Sequence, residues 1–229
     1  MSVVLSWLGW TAATLGLTGV QLGIIARHPE PPADEPDVVH KIRYADLITT
    51  PAILAALVGT LICSLLVVLF VPDQLRPVWL VWSSAALVLV AVDARTTWLP
   101  IRASRFATGC LLVAMLVTGA LDRPQVLLGA VLGGALAGGL FALLWWLTGA
   151  LGFGDVRLAA MAGGLTGLGS IELWYTSLLA ASIVGACWGL AVRLWRRRHP
   201  SPLGKAFAYG PGLWLGPWLG QLWLVLTAG

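Results

Sequence analysis

Charge is what this sequence has least of. Of its 229 residues only 10% are Asp, Glu, Lys or Arg, while 59% are hydrophobic. A soluble domain usually carries about a quarter charged residues, so a water-solvated globule is excluded. Short segments of alternating polarity are also missing, which argues against a transmembrane β-barrel. Cysteine is scarce: Cys63, Cys110 and Cys187 all lie in apolar runs and none forms a CxxC pair. Such residues read as buried apolar side chains, not as disulfides or zinc ligands. No basic surface is interleaved with aromatics, so nucleic acid is not an expected partner. Glu, His and Cys never converge, so neither a metal nor another cofactor is expected.

What the chain does have is apolar runs near or beyond the roughly 18–20 residues that cross a bilayer as a helix. In lipid the backbone must satisfy its own polar groups, which makes helices the default. The expected fold is therefore all-α: a polytopic membrane helical bundle of about eight transmembrane helices, with 1–229 forming one integral-membrane domain. The spans read as 3–26, 47–71, 77–93, 104–121, 125–148, 155–171, 173–194 and 207–226. The first lacks a basic segment before its apolar run, so it reads as a retained helix and not as a cleaved signal. With both termini outside, twelve of the fourteen basic residues fall in inner loops and only Arg76 and Arg123 in outer ones. That asymmetry is the positive-inside pattern, and it favours eight spans over seven. Trp7, Trp10, Trp79, Trp82, Trp174 and Trp223 are expected at the outer interface, and Trp98, Trp145, Trp146 and Trp195 at the inner one. The proline-rich, centrally acidic stretch 27–46 reads as a mobile cytoplasmic connector. Gly129, Gly133, Gly134 and Gly138 in the fifth span suit close helix packing.

Ten carboxylates are present. Seven fall in loops or turns, and Asp46 is placed to cap the second span. Asp93 in "LVLVAVDARTTWLP" and Asp155 in "LGFGDVRLAA" remain. Both lie where an apolar run meets the inner side, one ending the third span and the other beginning the sixth. Each can be read alone as a helix cap or a solvated end. Read together they make a two-carboxylate site, provided the third and sixth helices are neighbours. One ionised aspartate would take a proton from water while its protonated partner donates to a peptide carbonyl. Close carboxylates at a desolvated edge titrate as such a pair. Gly152 and Gly154 remove bulk beside Asp155 and would let a substrate backbone approach. Arg157 would bias the acid or bind a substrate carboxylate, or simply anchor the inner edge. Pro100 would shape the turn into the fourth span.

"GFGDVRLAAMAGGLTGLGS" resembles the signature of the type IV prepilin peptidases, membrane aspartyl proteases with a GxGD followed by a basic residue and a leucine. Gly152, Gly154, Asp155, Arg157 and Leu158 match. "VDARTTWLP" is similar to the family's first aspartate segment, and "KAFAYGPGLWLG" to its late Gly-Pro motif, at Gly210 and Pro211. These motifs fall within residues 77–226. The resemblance implies an aspartic endopeptidase in the inner (plasma) membrane, with Asp93 and Asp155 catalytic. It would remove the basic leader of a prepilin or pseudopilin at the cytoplasmic face, feeding pilus or secretion-system assembly. Longer members carry a cytoplasmic part with paired cysteines, associated with N-methylation. Residues 27–46 hold no cysteine, so a short, peptidase-only form is expected. Presenilin-like GxGD proteases carry a Pro-Ala-Leu motif that is absent here. The alternative from another class is a transporter using the two aspartates as proton or cation sites.

Overall fold

A computed structural model describes residues 2–29, 42–121, 124–149, 151–199 and 207–227. Among them every regular element is helical. The helices are α1 (Ser2–Ala26), α2 (Tyr44–Leu47), α3 (Thr50–Phe70), α4 (Arg76–Val81), α5 (Leu87–Thr96), α6 (Ile101–Leu121), α7 (Val126–Thr148), α8 (Phe153–Gly169), α9 (Ile171–Arg198) and α10 (Gly210–Thr227). A 3₁₀ turn, Asp73–Leu75, leads into α4, and a π-helical turn, Trp82–Ala86, joins α4 to α5. Residues 73–96 thus form one continuous element, longer than the expected third span.

Among the described residues six helices are long and apolar enough to cross a membrane, and the chain is a polytopic helical membrane protein. The other two long helices, α8 and α10, fall outside that group. The 17 residues of α8 rise only about 26 Å, less than a bilayer's hydrocarbon thickness. Most of α8 is nonetheless buried among its neighbours. The element 73–96 is the most enclosed of the six: 72% of an 18-residue apolar stretch within it is buried, against 17–44% for the corresponding stretches of the other five. It is the centre of the bundle, and the exposed leucines and valines of α3, α6, α7 and α9 face lipid around it.

Small residues set the closest packing. Along α7, Gly129, Gly133, Gly134 and Gly138 meet Gly167, Gly163 and Ala160 of α8, so that each backbone lies against the other. The Trp174 indole N–H donates to the Gly133 carbonyl at 3.0 Å. With no hydrophobic drive between helices in lipid, such close contact supplies much of the association. Gly163→Ala would push a methyl into the Gly133 carbonyl and to 2.5 Å from the Ala137 Cβ. Overpacking of this kind costs about 1–3 kcal/mol. The variant is expected to melt about 5 °C lower. Gly139→Ala, on the open face of α7, should leave the melting temperature unchanged. Equal effects in a thermal melt would refute this packing account.

Two expectations are corrected. Asp46 lies within α2, and Thr49 caps α3, its hydroxyl accepting from the Ala52 N–H at 3.4 Å. Pro51 in the first turn needs no such partner. Trp79 and Trp82 are not an interfacial belt: both are fully buried. Trp79 packs edge-on to Trp218 at 4.7 Å. Trp82 and Trp214 exchange hydrogen bonds, each indole N–H donating to the other's carbonyl at 3.1 and 3.0 Å. Trp145, Trp146, Trp195 and Trp223 do remain exposed. Residues 30–41 of the proline-rich stretch lie outside the described residues.

Candidate active site

Asp93 sits in the last turn of α5, 3% exposed. Its approach is set by the π turn one helical stretch earlier. There the Ser83 and Ser84 hydroxyls donate to the Trp79 and Leu80 carbonyls at 2.6 Å each, supporting the widened turn. After Asp93 the helix closes at Thr97, whose N–H donates to the Asp93 carbonyl at 2.7 Å. Thr97 has φ 57°, a left-handed conformation that β-branched residues resist. The turn sends the chain through Leu99 to Pro100, which is buried and whose carbonyl accepts the Ser104 N–H in the first turn of α6. Pro100 thus stands immediately before α6, at the entry to the fourth span.

Asp155 is 8% exposed and stands in the first turn of α8. Its Oδ2 accepts the Gly152 N–H at 3.0 Å, while its own N–H donates to the Gly152 carbonyl at 3.0 Å. This reciprocal cap fixes the carboxylate to the turn that carries it. Gly152 is exposed and leaves room beside the acid. Gly154 does not hold space open for a substrate: the Leu99 side chain fills it, and an added Cβ would lie 2.8 Å from Leu99 Cδ1. That glycine lets the loop after Asp93 press against the turn before Asp155.

The third and sixth helices are joined through a third party. Helix α10 packs against both α5 and α8, which share little contact of their own. Oδ2 of Asp93 accepts the Gly210 N–H, the first donor of α10, at 2.9 Å. The donors of that first turn can be followed one by one. Pro211 has none, and the Gly212 and Leu213 N–H groups return to the Tyr209 carbonyl at 3.0 and 3.3 Å. Gly210 is left as the free donor, and it is spent on Asp93. The two carboxylates are held alike, Asp155 by the Gly152 N–H and Asp93 by the Gly210 N–H. Each is thus held by a single backbone N–H through one oxygen. Among the described residues the other oxygen of each has no hydrogen-bond partner.

Tyr209, one residue ahead of Gly210, is seated in a notch at Gly185 of α9, and Phe207 in another at Gly189. The late Gly-Pro motif was visible in the sequence, but its task of holding Asp93 was not. Its signal was there in Gly212, Gly216 and Gly220, spaced to bring α10 against Ala181 and Ser177 of α9. Arg157 turns toward Phe153, its guanidinium 5.0 Å from the ring centre, and forms no ion pair with Asp155. Among the described residues no group of three His, Cys, Asp or Glu could hold a metal ion.

Residues 80–190 match the family model described as the type IV leader peptidase family. A Prepilin leader peptidase/N-methyltransferase of Aeromonas salmonicida (strain A449) is 35% identical over 105 residues, 42% of this chain and 33% of that protein. Its counterpart in Aeromonas hydrophila is 36% identical over 107 residues, 43% of this chain and 34% of that one. The match therefore spans about a third of the length of these curated relatives. No solved structure matches. The transport alternative gains no support from these likenesses. Asp93, Pro100 and the Gly152–Leu158 motif all fall inside residues 80–190, the stretch that is similar to the type IV leader peptidase family.

Proposed function

We propose that the protein is a membrane aspartyl endopeptidase that removes the leader of prepilin-like substrates at the cytoplasmic face of the inner membrane. The observation that carries this reading is the pair of buried carboxylates, each steadied by one N–H and each with one oxygen uncommitted. A water between those free oxygens would lose a proton to the ionised aspartate and attack the scissile carbonyl. The protonated partner would give its proton to the carbonyl oxygen. Collapse of the tetrahedral adduct then returns a proton to the leaving amine and restores the pair. The steadying N–H groups hold the acids in place without consuming the oxygens that react. Eight spans with both termini outside would put Asp93 and Asp155 on the inner side, beside most of the basic residues.

Methyl transfer is not part of this proposal, because the stretch 27–46 has no cysteine. Co-expression with prepilins from the same genome, read by intact mass, tests both points. The expected product lacks the leader and carries no further mass. Retention of the leader on every such prepilin would overturn the peptidase reading. An added methyl group on the new N-terminus would overturn the peptidase-only form.

A further inference from the structure

A cavity of about 890 Å³ lies between α6, α7 and α8. Its wall is almost wholly apolar, built from residues such as Leu112, Leu116 and Val131, and the rim formed by these three is exposed toward lipid. Two cations break that pattern: Arg105 in the second turn of α6 and Arg157 in the second turn of α8. Neither forms an ion pair among the described residues. Ser104 lines the same wall, and its hydroxyl, in a residue 2% exposed, has no hydrogen-bond partner. Both arginines lie near helix N-termini, whose dipoles add positive potential. A long apolar trough open to the bilayer and ending in two unpaired guanidiniums has the polarity of one phospholipid: acyl chain below, anionic headgroup above.

We infer that this cavity is a binding site for an anionic phospholipid, whose acyl chain lies along α6, α7 and α8 and whose phosphate is held by Arg105 and Arg157. A substrate helix is the rival occupant, but it fits less well. An apolar helix would leave the Arg105 and Arg157 guanidiniums without an anionic partner. An acyl chain is narrow enough to enter through the lateral opening. Guanidinium forks also suit a phosphate, which they bind through paired N–H groups. The inference is independent of the peptidase reading and needs only the membrane.

The test is native mass spectrometry of the full chain released from nanodiscs of equal phosphatidylglycerol and phosphatidylcholine. The wild type is expected to retain one phosphatidylglycerol about tenfold over phosphatidylcholine, and Arg105→Gln/Arg157→Gln to lose that preference. Arg105→Lys/Arg157→Lys should keep most of it, separating loss of charge from loss of fold. Arg27→Gln/Arg102→Gln should also keep it, since those arginines line a separate cavity beside α1. Equal retention of the two lipids by the wild type would overturn the inference, as would a preference that survives in the double Gln variant. So would displacement of the lipid by a prepilin's apolar helix, which would give the cavity to substrate.

Discussion

Asp93→Asn and Asp155→Asn are each expected to lower the proposed leader cleavage by a factor on the order of 10³–10⁴ while the protein still folds and inserts. Both halves of that expectation rest on the two capping contacts. An asparagine carbonyl can accept the Gly152 N–H as Asp155 Oδ2 does, so the start of α8 keeps its cap. The same is true at position 93, where the amide oxygen can accept from Gly210. What disappears is the ionisable group, and with it, in the proposed mechanism, either the base that activates water or the acid that protonates the carbonyl. Asp155→Ala is a harsher change: it loses the cap as well, at about 1 kcal/mol. Cleavage rates and melting temperatures, measured on the same purified variants, separate the two effects. An Asn variant that cuts within tenfold of the wild type would sink the two-aspartate mechanism.

Gly210→Ala should lower kcat about 100-fold, with a smaller change in KM. The residue donates to Asp93 through its N–H and, having no side chain, lets that carboxylate lie against its Cα. An added Cβ would collide with Asp93 Oδ2 and sit 3.2 Å from its Cγ. Either the acid must swing away or the start of α10 must retreat. The second route is blocked in part by the Trp82–Trp214 exchange and by Tyr209 in its notch. The carboxylate therefore moves, and displacement of a reacting group by about 1 Å is enough for a loss of this size. A full kinetic comparison of the two proteins checks it. An unchanged kcat would mean that Asp93 tolerates free movement and that the Gly210 contact is incidental to the chemistry.

Much of this was legible in the sequence because its physics is local. Apolar run lengths gave the eight long helices to within a few residues. The two carboxylates stood out because acids at the ends of apolar runs are costly. The glycines of the fifth span announced a close neighbour, which proved to be α8. Other features depend on what lies across the bundle. Gly154 was read as open space, yet Leu99 fills it; a glycine looks the same in sequence whether a ligand or a neighbouring side chain occupies its vacancy. Trp79 and Trp82 carry the composition of an interfacial belt, but their indoles are enclosed beside α10. The π turn at 82–86 leaves no periodic mark, since one extra residue in a uniformly apolar run disturbs no pattern. Only the assembled helices reveal that Gly210 supplies the donor for Asp93.

That last contact has a consequence for the order of events during synthesis. Helix α10 is translated after both aspartates, and it is the element that packs on the helices carrying each of them. A chain halted after α9 would already contain every acid of the pair but would lack the N–H that steadies Asp93. The nascent protein should therefore pass through the translocon inert. On the proposed function it would become competent only when α10 docks, which would leave the unfinished chain unable to cleave its neighbours.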